Sequence, residues 1–158
     1  MTTKPVLAEH ATIQIERVYP HPVSAVFACW SDAEARRKWE PTPEGMVMAY
    51  EGDDYDFKVG FIERSRMLKG DQELARFESR FVDIVPDSRI ISVVCVSAND
   101  TLMSSSQHTL EFFSEGGKTR IKCTEQVAWL HGQAMQAEHE DGWNVLLDRL
   151  GEVLDGKR

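Results

Sequence analysis

The sequence predicts an α+β fold: a curved antiparallel sheet of about seven strands wrapped round a long C-terminal helix, with two short helices after the first strand. Three observations predict it. Residues 137–154, "AEHEDGWNVLLDRLGEVL", wound at about 100° per residue, place Trp143, Leu146, Leu147, Leu150 and Leu154 in one stripe that Met135 extends upstream. Between residues 45 and 130 the hydrophobic period changes to two. The spacers in that region are too short for parallel crossovers, which need about a dozen residues, so the strands are consecutive antiparallel neighbours.

The elements follow in order. "TIQIERVYP" (12–20) alternates, with Ile13, Ile15, Arg17 and Tyr19 on one face of a first strand, and "PHP" ends it. Val23, Val26, Phe27 and Trp30 then recur at helical spacing, with Pro22 near the first turn, where a missing N–H costs little. Asp32 caps a second short helix, "AEARRKW", which Pro41 and Pro43 terminate. Strands are expected at 45–51, 55–68, 73–85, 89–98, 103–114 and 118–130, separated by "EGDD", "LKGD", "VPDS", "SAND" and "SEGGK". The closing helix is the only element long enough to cover one face of such a sheet. Gly142, beside Trp143, is expected to let it approach the sheet closely.

Composition narrows the function. The whole chain, residues 1–158, reads as one domain, without internal repeat or linker. A formal net charge of −8 argues against nucleic acid and anionic membrane as partners, since both reward clustered Lys and Arg. "ARRKW" is too short a basic run to reverse that. Cys29, Cys95 and Cys123 are scattered and odd in number, as inert core thiols of a cytoplasmic protein are. No signal peptide is visible, and no apolar run approaches the ~18 residues that span a bilayer. The acidic "EGDDYD" (51–56) lacks the spacing of a calcium loop and reads as a solvated hairpin tip. No metal or cofactor is expected.

"IQIERVYPHPVSAVFACWSDAEARRKWEP", "DFKVGFIER", "FVDIVPDSRI", "GGKTRIKCTE" and "DGWNVLLDRLGEVL" together resemble the heat-shock protein 90 ATPase activator-like family. The resemblance covers about residues 12–154. It implies the helix-grip fold of the START and birch-pollen-allergen superfamily, with a cavity between sheet and helix often used for apolar small molecules. At two positions the chain departs from the family: Glu40 stands where a second tryptophan is frequent, and Phe61 follows Gly60 where glycines are often paired. The activators behind the family name carry an additional domain that 158 residues do not contain, so the name itself assigns no activity.

The last hairpin places the chemistry. If Gly116 and Gly117 centre the turn, Phe112 faces Ile121, Leu110 faces Cys123 and His108 faces Glu125, all on the face towards the helix. A His opposite a Glu has Cβ atoms about 5 Å apart, within reach of a charge-assisted hydrogen bond. His139 lies on the inward stripe of the helix. Two readings stand. In one, His108, Glu125 and His139 orient an apolar or aromatic ligand buried among Phe81, Leu110, Phe112, Trp143 and Leu146, making the protein a carrier or sensor with an internal cavity of roughly several hundred Å³. In the other, His108 and Glu125 are a satisfied buried pair that fixes register, and His139 sits at a frayed helix start. A protein partner of the chaperone type, or a homodimer through an exposed sheet edge, is the alternative function. A cyclase or hydrolase with a His general base is a third, but a His–Glu pair alone specifies no reaction, so a non-enzymatic role is expected.

Overall fold

The computed structural model describes every residue except 1, 41–43, 53 and 133. Its elements are β1 (Glu9–Tyr19), α1 (Val23–Ser31), α2 (Ala33–Trp39), β2 (Val47–Tyr50), β3 (Ile62–Lys69), β4 (Gln72–Val85), β5 (Arg89–Ala98), β6 (Thr101–Glu115), β7 (Lys118–Trp129) and α3 (Gln136–Leu154). The strands form one antiparallel sheet in the order β1-β7-β6-β5-β4-β3-β2. Chain neighbours pair throughout, except that β1 returns to lie beside β7.

The short helices form as their residues dictate. Pro22 is the N-cap of α1, and its carbonyl accepts from Ala25 and Val26. The Asp32 side chain accepts from Ala35 N–H at 2.7 Å and so caps α2. Trp39 ends α2 by donating its indole N–H to the Cys29 carbonyl at 2.8 Å, with its ring 4.9 Å from that of Trp30. That bond joins the two helices into one lid. Pro41 and Pro43, expected to stop α2, lie outside the described residues.

The β6–β7 hairpin is as its turn chemistry requires. Gly116 and Gly117 both have positive φ, +59° and +80°, the combination a two-residue turn of strand-matching twist needs. The register runs without a bulge: Phe112 faces Ile121, Leu110 faces Cys123 and His108 faces Glu125.

Register across the sheet defines rows on the concave face. Ile84, Ile90, Leu110, Cys123 and Ile15 make an apolar row. The next row is Phe81, Ser92, His108, Glu125 and Ile13, and the one after is Glu63, Ser79, Val94, Ser106, Val127 and Ala11. The apolar end is packed by Phe27 and Trp30 of α1 against Phe112, at ring separations of 5.3 and 5.5 Å. From α3, Leu147 and Leu150 are fully buried there. Tyr19 donates its hydroxyl to the Leu147 carbonyl at 2.6 Å, which ties the end of β1 to the middle of α3.

Several expectations need correction. Residues 55–61 are not strand; β3 starts at Ile62. Their alternation instead inserts rings into the core, Phe57 against Phe27 and Phe81, and Tyr55 against Phe61 and Phe81. Period two here records burial of alternate side chains without a pairing partner. Met135 is the N-cap of α3 and is exposed, so the helix stripe begins at His139. Gly142 is exposed and nothing lies within 4 Å of where its Cβ would be. The close approach is at Gly151, where a Cβ would meet Tyr19 Cε1 at 3.3 Å. Cys95 pairs in register with Glu78 and Ser105 on the convex face and is only half-buried, while Cys29 and Cys123 are in the core.

Candidate functional site

Glu125 stands at the centre of a buried polar cluster between β7, β6 and the first half of α3. It is 3% exposed. One carboxylate oxygen accepts from His139 Nδ1 at 2.9 Å and lies 3.4 Å from His108 Nε2; the other accepts from the Trp143 indole N–H at 2.8 Å. Burial works to protonate this carboxyl. The hydrogen bonds from His108, His139 and Trp143 outweigh it and hold Glu125 well below the usual carboxylate range.

The bonding pattern assigns the tautomers. Trp129 donates its indole N–H to His139 Nε2 at 3.4 Å, so that nitrogen presents a lone pair and the ring proton sits on Nδ1, towards Glu125. His108 Nε2 faces a carboxylate, so it carries a proton. That proton is shared between Glu125 and the Ser106 hydroxyl oxygen, 3.1 Å away. Ser106 therefore accepts from His108 and keeps its own O–H free to donate elsewhere.

The same geometry speaks against an acyl-transfer relay. Such a relay needs the acid on one imidazole nitrogen and the nucleophile on the other. Here Glu125 and Ser106 both address Nε2 of His108. The arrangement can orient and hold; it has no route for passing a proton from serine to carboxylate through the ring.

Of the residues singled out in the sequence, His108, Glu125, His139 and Trp143 come together, with the His108 and Trp143 rings 5.1 Å apart edge to face. Leu110 and Phe112 belong to the packed apolar end beneath α1, and Leu146 packs against the same core. Phe81 shares the row of His108 but is covered by Tyr55 and Phe57. A void of about 610 Å³ does exist, but it is an open groove on the convex face, lined by Thr12, Val93, Gln107 and Gln126 among others. The concave surface beside the cluster is instead floored by half-buried Ser79, Ser92 and Val94 and by buried Ser106.

Sequence reasoning missed Ser92, Ser106 and Trp129. The signal was parity: Ser104, Ser106 and His108 share a strand face, as do Glu125 and Trp129. Small hydroxyl residues carry no hydrophobic mark, so the alternation passed unread.

A second, half-buried cluster lies around Glu40. Arg36 of α2 donates to both oxygens of Glu63 at 2.5 and 2.6 Å and to Glu40 at 3.2 Å, with its guanidinium 4.9 Å from the Tyr55 ring centre. Arg149 of α3 donates to the Glu40 backbone carbonyl. Two carboxylates thus share one guanidinium. Burial, with the charge of Glu63 added, pushes the Glu40 carboxyl up to about 7 against the pull of Arg36 and Arg37. The folded protein therefore holds a proton that the unfolded chain has released, so stability falls as pH rises from about 4.5 to about 7. Glu40→Gln is expected to flatten that slope in urea unfolding followed across the window. An unchanged slope would assign the pH dependence to other groups.

With this geometry in hand, comparison with known proteins is informative. The family model described as "Activator of Hsp90 ATPase homolog 1-like protein" matches residues 20–155. A crystal structure of a protein from Rhizobium loti is 33% identical, covering 93% of this chain and 99% of its own, with a TM-score of 0.82. A protein from Rhizobium leguminosarum is also 33% identical, with coverage of 97% and 99% and a TM-score of 0.84. At 22% identity, a Chromobacterium violaceum protein shares the fold with a TM-score of 0.74, covering 91% of this chain and 96% of its own. No curated protein matches the chain. Among the described residues no helix is long and apolar enough to cross a membrane.

Proposed function

The chain belongs to the Activator of Hsp90 ATPase homolog 1-like family, and from that premise we propose that it binds an apolar or aromatic small molecule on the concave face, beneath the first half of α3. The family fold is compatible with ligand binding and with a protein-interaction role alike. One observation supports the first. The inner face changes character along the strands: the row of Ile84, Ile90, Leu110, Cys123 and Ile15 is wholly apolar and packed, and the rows after it turn to serines and His108 beside Trp143. A fold that needed only stability would continue the apolar rows. An apolar wall with a few convergent hydrogen-bonding groups is how small-molecule sites are built.

On this reading Trp143 and Val94 supply contact area, and Ser92, Ser106 and His108 supply orientation. Glu125 and His139 hold His108 and Trp143 in place without touching the ligand, because their polar atoms are already occupied. The carrier or sensor role predicts a retained compound in protein isolated from its own host, read by native mass spectrometry. It also predicts a saturable change in indole emission on adding that compound, lost in Trp143→Phe. Protein that is isolated empty and shows no saturable response to naphthalene or 2-naphthol would overturn the reading and leave the partner-protein role in its place.

A further inference from the structure

The inference that follows rests on the binding site just proposed and concerns what it selects. We propose that the site takes electrically neutral aromatic compounds bearing a hydroxyl or carbonyl group, and rejects carboxylates.

The argument is one of which polar atoms remain unspent. Glu125 is buried and both its oxygens already accept hydrogen bonds from the protein, so neither is left wholly open to a ligand, yet its charge stays. The low protonation tendency of that carboxyl keeps the charge in place at neutral pH. Both ring nitrogens of His139 are engaged, Nδ1 by Glu125 and Nε2 by Trp129, so neither is offered to a ligand. Two guanidiniums near this face are committed elsewhere: Arg36 to Glu63 and Glu40, and Arg17 to Asn144, two rows from Glu125.

Each class of ligand then meets a different balance. An anion entering beside Ser106 loses its hydration and is offered neither Arg17 nor Arg36, while the negative charge of Glu125 lies just behind His108. A cation is attracted by that charge but finds no free carboxylate oxygen to pair with, so its own desolvation is not offset. A neutral hydroxyl or carbonyl group meets the free Ser106 O–H and the Ser92 hydroxyl, which stands opposite His108 in register. Uncharged donors and acceptors in a field of one sign select uncharged polar ligands.

Four probes with one ring system test this by Trp emission at neutral pH: naphthalene, 2-naphthol, 2-naphthoate and naphthalen-2-ylmethylammonium. The expected result is that 2-naphthol binds at least about tenfold tighter than 2-naphthoate and tighter than the ammonium probe. In Ser106→Ala the 2-naphthol affinity should fall severalfold while that for naphthalene is unchanged. Equal binding of 2-naphthoate would overturn the charge selection with the site intact, and a preference for the ammonium probe would replace it by direct ion pairing. Ser106→Ala protein that keeps its 2-naphthol affinity would remove the hydroxyl contact from the proposal. Absence of binding by all four probes, naphthalene included, would instead overturn the binding site itself.

Discussion

Glu125→Ala is expected to unfold with a loss of about 3–5 kcal/mol, since it strands three donors at about 1–3 kcal/mol each and the partly exposed imidazoles fall at the lower end. The carboxylate carries the interactions of three side chains: His139 at 2.9 Å, Trp143 at 2.8 Å and His108 at 3.4 Å. Alanine leaves donors from two secondary-structure elements without an acceptor, in a place where water enters poorly. In a domain of this size the loss corresponds to a fall in Tm of roughly 6–20 °C, at about 2–4 °C per kcal/mol. Glu125→Gln keeps one carbonyl oxygen and should lose less, because a single donor then faces an amide. Urea unfolding of the two variants beside wild type is the measurement. A loss below about 1 kcal/mol in Glu125→Ala would mean that the cluster is solvated and does not hold α3 to the sheet. The wild-type contribution has a pH window too. Because the folded-state carboxyl is held low, the stabilisation is present at neutral pH and is lost as pH falls below the ordinary carboxylate range.

Leu147→Ala is expected to cost about 2–5 kcal/mol, the range for emptying a fully buried leucine site. Leu147 is 0% exposed in α3, in the cluster that includes Phe27, Trp30, Ile121 and Leu150. Its backbone carbonyl also receives the Tyr19 hydroxyl, so the helix is pinned at that turn and cannot easily settle into the space left behind. Val145→Ala, two residues away and 45% exposed, should change stability by no more than about 0.5 kcal/mol. If the two substitutions proved equal, α3 would have to be packed the other way round.

The contrast between Leu147 and Val145 was already present in the helical period of "GWNVLLDRL", as was the covering of the sheet by α3. The facing of His108 and Glu125 was equally legible, because two glycines at the turn set the register of every pair behind them. That His139 meets the same carboxylate depended on how far along the sheet the helix docks. Its position on the apolar stripe suggested the direction, and the distance came from packing. Because Trp143 and the two imidazoles engage both carboxylate oxygens, the proposed ligand-facing role falls to Ser92 and Ser106, whose hydroxyls no hydrophobic pattern marks.

Other features lay beyond local pattern altogether. "YDFKVGF" alternates as a strand does, yet its rings plug the core, since alternation reports which side chains are buried and not what the backbone pairs with. Nothing local in the sequence marks the surroundings of Glu40, but β3 brings Glu63 to the same guanidinium and burial does the rest. What the sequence determined by itself were the elements, their order, the hairpin register and the inward face of the last helix, all set by interactions a few residues apart. The tertiary structure alone decided which polar atoms remain free, where the chain approaches itself closely at Gly151, and which carboxyls keep their charge. Those depend on groups far apart in the chain meeting in a medium that water has left.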